Sequence, residues 1–324
     1  MRLTVACADY DRTRPLIDGR VRIEGCESEI RCLDFEDMFV RALTTAEFDV
    51  TELSFSRFAL NVAAGTTPYV ALPVFLSRMF RHSAIYVRAD RDITRPEDLR
   101  GRLIGVRDYS NTASLVARGM LEDEYGLSAR TVRWLVGDVD HAERMHIRLP
   151  ELAPGFDVQL APAGSLLSDL LANGAIDGLI DYQPPRCFVE GHARVSRLFP
   201  EHERAERDYF VRSGIFPIMH VLVLRREIAE RSLDIVQALY AAFAKAKDMA
   251  IARIAAPGAL SITLPWVMEE HARTVSLMGE DFWPYGVAAN RAAIQSTVRY
   301  IHAQGLAKRQ LALEELFAPG MLAT

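Results

Sequence analysis

Apolar positions change period along the chain. Short apolar runs at 3–7, 48–53, 69–75, 82–87, 103–106, 132–136 and 176–180 have strand length, and a longer run at 215–224 reads as a buried strand. Between them the spacing turns helical. Met38, Phe39, Ala42 and Leu43 predict a helix over 37–46, and others follow at 56–64 and 166–172. Pro96 opens a short helix over 96–99 that Gly101 ends. Residues 108–112 cap a helix that runs to about 125 and stops at Gly126. From 226 onward the pattern is helical through 228–254, 264–278 and 288–303, while 138–162 is a polar excursion holding His141 and His146. Strands alternating with helices predict an α/β protein with largely parallel sheets.

Composition narrows the function classes. A chain of 324 residues is about two domains, and half of it is apolar, enough for real cores. A net charge of −5 without a long basic run excludes nucleic acid as the expected partner. No run of about 18 apolar residues occurs, so no membrane span is expected. The first apolar stretch ends at Ala8, too short for a signal core, and the expectation is a cytoplasmic protein. Cys7, Cys26, Cys32 and Cys187 form no CxxC, and His141 and His146 lie five apart, off a shared helix face. Neither HExxH, a P-loop, GxGxxG nor GxSxG is present, so no metal or cofactor is predicted. Composition leaves homo-oligomer formation open.

The stretch "PEDLRGRLIGV" (96–106), followed by a polar loop into a helix, resembles the second-lobe entry of periplasmic-binding-protein-like folds. That resemblance implies a two-lobed, type 2 α/β fold with a ligand cleft between lobes. The first lobe would hold residues 1–86 plus 220–324 and the second 87–219. Connecting strands would pass near 81–88 and 214–224. A narrower resemblance rests on five blocks in order: "ACADYDRTRPL" (6–16), "EFDVTELSFSRF" (47–58), "ALPVFLSRMFRHSAIYV" (71–87), "SGIFPIMH" (213–220) and "GEDFWPYGVAANR" (279–291). Together they resemble the 4,5-dihydroxyphthalate decarboxylase family, over about residues 3–318. The loop "GVRDYSNTAS" departs from the family's pattern: it keeps Tyr109, Thr112 and Ala113 but has Arg107-Asp108 and Ser110-Asn111 in place of the family's residues.

The resemblance implies non-oxidative loss of one carboxylate from a dihydroxylated aromatic diacid, 4,5-dihydroxyphthalate, giving 3,4-dihydroxybenzoate. A ring hydroxyl para to the carboxylate pushes electrons to the carbon that bears it, and an acid protonates that carbon. The ring is its own electron sink, so no cofactor is required. Such a site needs a cationic clamp, a partner for the phenol and a proton donor over the ring. Two other readings stand beside it: a solute-binding protein that only captures a small aromatic carboxylate, and another lyase on the same fold, such as those of futalosine-type menaquinone synthesis.

Individual residues then take candidate roles. Arg12 and Arg14 follow the first strand, where ligands meet open α/β sheets, and are either a carboxylate clamp or a solvated basic loop. Glu52 and Ser54 end the next strand at the same edge. Glu52 accepts the phenol proton or orients a histidine, or else is a surface acid; Ser54 binds ligand or caps the following helix. Arg81 and His82, from the "FRHS" block, are expected at the first crossing, with His82 as the proton donor. His220 ends "FPIMH" on the second crossing and is either catalytic or packed in the hinge. Tyr109, Asn111 and Thr112 precede a helix whose free N–H groups suit an anion, and they equally read as its cap. Asp181 and Tyr182 follow another strand. Trp283 and Tyr285 read first as anchors for the C-terminal helices.

Overall fold

The computed structural model describes residues 1–141, 149–256, 258 and 260–324. His146 therefore lies outside the described residues. In chain order the strands are β1 (Arg2–Cys7), β2 (Glu27–Cys32), β3 (Val50–Ser54), β4 (Tyr69–Arg78), β5 (Ile85–Arg88), β6 (Leu103–Val106), β7 (Arg133–Val136), β8 (Asp157–Leu160), β9 (Gly178–Ile180), β10 (Val195–Arg197) and β11 (Ile218–Arg225). The chain divides into two compact units. One is Met1–Arg78 with Ile218–Ile294 and Leu311–Thr324; the other is Met79–Pro217 with Gln295–Gln310.

The first unit is built on a five-stranded sheet in the order β2-β1-β3-β11-β4. β1 runs parallel to β2 and β3, and β11 runs antiparallel to β3 and β4. The expectation of largely parallel sheets is thus corrected to mixed ones, because β11 returns along the sheet late in the chain. β3 and most of β4 are buried throughout, as strands covered on both faces are. The helix Phe35–Thr45 starts two residues before the predicted 37, because the Asp34 carboxylate accepts the Glu36 N–H at 2.9 Å and caps it there. Met38, Phe39 and Ala42 form its buried stripe. The long helix Leu233–Ile254 buries Ile235, Leu239, Ala242 and Ala246, spaced as one face of a helix requires.

The β4–β11 ladder is irregular where it matters most. His220 pairs with Ser77, yet Leu222 pairs with Leu72, so Pro73, Val74, Phe75 and Leu76 bulge opposite Val221 alone. Proline brings no N–H to a ladder, which favours the break at Pro73. Carbonyls in the bulge find other donors. Gly286 N–H donates to Pro73 at 2.8 Å, the Trp283 indole N–H to Phe75 at 2.9 Å, and the Arg12 Nε–H to Leu76 at 2.8 Å.

The second unit carries a six-stranded sheet in the order β10-β5-β9-β6-β7-β8, parallel from β9 to β8, with β5 antiparallel to both of its neighbours. β8 lies inside the stretch expected to be a polar excursion. It is an edge strand without a buried residue, so it carries no hydrophobic signature. The strand expected over 82–87 is also shorter. His82–Ala84 forms one 3₁₀ turn and the ladder begins at Ile85, because the Ser83 N–H is taken by the Glu206 carboxylate at 3.0 Å. The helix Thr112–Tyr125 is capped by Asn111, whose side-chain oxygen accepts the Ser114 N–H at 2.7 Å, and it ends at the left-handed Gly126. Among the described residues no helix is long and apolar enough to cross a membrane.

Candidate active site

In the first unit the C-terminal ends of the parallel strands β2, β1 and β3 lie side by side, the edge at which open α/β sheets present ligands. β3 brings Glu52 there, wholly buried. A buried carboxylate needs donors, and Glu52 has three. Oε2 accepts the Ala8 N–H at 3.2 Å, while Oε1 accepts the Tyr10 hydroxyl at 2.7 Å and meets His220 Nδ1 at 2.7 Å. His220 is next to Ser54 in the ladder, and the bulge in the facing strand flanks it. Its imidazole is held edge-on by Phe39, with ring centroids 5.1 Å apart, and by Phe35 at 5.2 Å. With Nδ1 committed to Glu52, Nε2 is the nitrogen left for a substrate.

Tyr10 leads to the cation. The Arg12 guanidinium carbon lies 3.9 Å from the Tyr10 ring centroid and 4.3 Å from that of Trp283. Its Nε and one terminal nitrogen share the Leu76 carbonyl, and the other terminal nitrogen reaches the Asp11 carboxylate at 3.1 Å. A guanidinium has five N–H donors, so this fixed fork still has some to offer an anion. Burial first, and then the Glu52 charge, push the Tyr10 hydroxyl well above the ordinary phenol range, so it stays a donor. The same two causes, in the same order, push up the Cys7 thiol, which stays protonated and inert.

The other residues singled out in the sequence fall into different surroundings. Arg14 is half-exposed and pairs with Asp9. Ser54 is buried at the N-cap of the helix Phe55–Ala64, beside the dyad, with no side-chain capping bond to that helix. In the second unit, Arg81 is buried near Asp181 and Glu206, and burial pushes its guanidinium down to about 10. His82 is buried edge-on to Phe199 and Tyr209, at 5.1 and 5.5 Å. Among the described residues neither of its ring nitrogens has a hydrogen-bond partner. Burial, aided by the charges of Arg212 and His202, pushes it down to about 4, so it is neutral at ordinary pH. Tyr109 is buried against Arg118, whose guanidinium carbon is 3.7 Å from the ring centroid. Asn111 caps its helix, and Thr112 is buried as the first helical residue.

Sequence reasoning missed Tyr10 as the bridge between the dyad and Arg12, although "DYDR" placed it in the right loop. It read Trp283 as an anchor, and the indole bond to Phe75 agrees with that, but the ring also stacks on Arg12. It named Asp181 at a strand end but did not pair it with Arg107, to which it is joined in the buried interior by contacts of 3.1 and 2.8 Å. Among the described residues no three His, Cys, Asp or Glu side chains gather in a metal-holding group.

No family model matches the chain. A 4,5-dihydroxyphthalate decarboxylase from Comamonas testosteroni is 42% identical over 325 residues, covering 99% of this chain and 98% of that protein. One from Pseudomonas putida is 40% identical over 210 residues, 65% of this chain and 81% of that protein. Among solved structures, the periplasmic aliphatic sulphonate binding protein SsuA from Escherichia coli superposes with a TM-score of 0.55 at 13% identity, covering 100% of this chain and 99% of that one. That likeness carries the two-sheet, periplasmic-binding-protein-like fold.

Proposed function

The chain belongs to the 4,5-dihydroxyphthalate decarboxylase family, and we propose that it is a carboxy-lyase converting 4,5-dihydroxyphthalate to 3,4-dihydroxybenzoate, with His220 as proton donor. Glu52 orients the imidazole through its contact with Nδ1. Arg12 meets a substrate carboxylate, and Tyr10 ties Arg12 to the Glu52 oxygen. The observation that carries this reading is the 2.7 Å contact between His220 Nδ1 and a buried carboxylate that already holds two other donors.

The chemistry follows from those roles. The hydroxyl para to the departing group releases electron density, and His220 Nε2–H delivers a proton to the carbon bearing the carboxylate. The bond from that carbon to the carboxylate then breaks. Its electron pair returns to the ring, carbon dioxide leaves and aromaticity is restored. One proton is consumed and Nε2 is recharged from solvent. A histidine serves because its ordinary pKa lies near neutrality. The low pKa of His82 and its aromatic surroundings favour His220 over it as the donor. All four cysteines are free, which goes with action in the reducing cell interior.

The test is direct. Incubation with 4,5-dihydroxyphthalate is expected to release carbon dioxide and 3,4-dihydroxybenzoate, followed by ring absorbance. Tight binding without turnover would instead make the chain a capture protein.

A further inference from the structure

We propose that Phe35 is the aromatic platform by which this site selects a flat ring over a saturated ring carrying the same carboxylates; the inference rests on the decarboxylase reading above. Phe35 is the first residue of its helix, at the end of the chain segment leaving β2, on the same sheet edge as Tyr10 and Glu52. It is 37% exposed, although a phenyl ring gains by burial. Its ring centroid lies 5.2 Å from that of His220 and 6.1 Å from that of Tyr10. Phe35 thus touches both side chains that share the Glu52 oxygen.

Phe39, one turn further along the same helix, is buried and packs on the His220 ring at 5.1 Å. The imidazole is therefore braced from within the core, and the outer ring is not needed for that purpose alone. A ligand ring that receives a proton from His220 Nε2 lies against the imidazole. Phe35 is the exposed apolar surface next to it. Offset or edge-on contact between two rings contributes beyond the area buried, and a saturated ring cannot reproduce it.

The experiment compares two unreactive probes by calorimetry: phthalate and cis-cyclohexane-1,2-dicarboxylate, with the same adjacent carboxylates on a flat and a saturated ring. It uses the full chain, with Phe35→Leu and Phe35→Tyr as variants and turnover of 4,5-dihydroxyphthalate measured in parallel. Phe35→Leu is expected to weaken phthalate binding roughly 3- to 10-fold while changing the saturated diacid by less than about 2-fold. Its KM is expected to rise by the larger factor, more than kcat falls, and Phe35→Tyr is expected to restore both. Equal loss for both probes, or a fall in kcat at constant KM, would overturn the proposal and leave Phe35 as a brace for His220. Ring discrimination without turnover in the wild type would overturn the decarboxylase reading instead.

Discussion

Replacing Glu52 by glutamine tests the dyad with almost no change of shape. Glu52 accepts the Ala8 N–H on one oxygen, and the Tyr10 hydroxyl and His220 Nδ1–H on the other. An amide keeps only one accepting oxygen. If that oxygen serves Tyr10 and His220, the new NH2 group opposes the Ala8 N–H. If it turns to Ala8, two donors lose their acceptor. Either way at least one buried donor goes unpaired, at a cost of about 1–3 kcal/mol. For a unit of 150–250 residues each kcal/mol lowers Tm by roughly 2–4 °C, so a fall of about 2–12 °C is expected by calorimetric scan. The catalytic effect is larger. Without the carboxylate the imidazole loses the partner that fixes its orientation and tautomer, and turnover of 4,5-dihydroxyphthalate is expected to drop about 10²–10⁴-fold. Glu52→Asp, which keeps the charge on a shorter arm, is expected to lie between the two. A Glu52→Gln protein that folds and turns over at near wild-type rate would remove the dyad from the mechanism.

His220→Asn is expected to cut kcat by about 10²–10⁴ while calorimetric binding of phthalate changes only a few-fold, since the role proposed for the ring is proton delivery; equal losses in both would reassign it to binding. Arg12→Lys loses the fork on the Leu76 carbonyl and the stacking between Tyr10 and Trp283, so phthalate affinity is expected to fall by about 1.5–3 kcal/mol, and an unchanged isotherm would place the carboxylate clamp elsewhere. His82→Leu is expected to retain turnover and to alter the pH dependence of stability. Because the folded His82 titrates at about 4 and an unfolded histidine near 6.5, the unfolded chain alone takes up a proton between those values. Wild-type stability therefore falls as pH drops from about 6.5 to 4, by at most about 3 kcal/mol, and is flat above that window. Denaturant titrations across it are expected to lose one proton's worth of slope in His82→Leu, and an unchanged slope would mean that His82 is not buried as a neutral ring.

Much of this protein is written locally. The strands at 3–7, 48–53 and 103–106 and the helix to Gly126 depend on short-range periodicity and capping, which a single sequence displays, and each appears within a residue or two of its expected place. The chemical vocabulary was equally open to reading. Arg12, Glu52, Ser54 and His220 all stand out as polar residues at the ends of apolar runs, the one place where an α/β sheet meets its ligand. Tertiary structure decided which of them meet. Glu52 and His220 are 168 residues apart in the chain, and no local pattern records that β11 returns to lie against β3. Nor does any local pattern show that a bulge at Pro73–Leu76 releases carbonyls for Arg12, Trp283 and Gly286 to hold. His82 illustrates the converse. Its neighbours in sequence, Arg81 and Ser83, suggest a polar site, whereas Phe199 and Tyr209, brought in from more than a hundred residues away, make it a neutral buried ring. A side chain's pKa and partners belong to whatever the fold packs around it, and that is a property of long-range contacts rather than of the residues next to it in the chain.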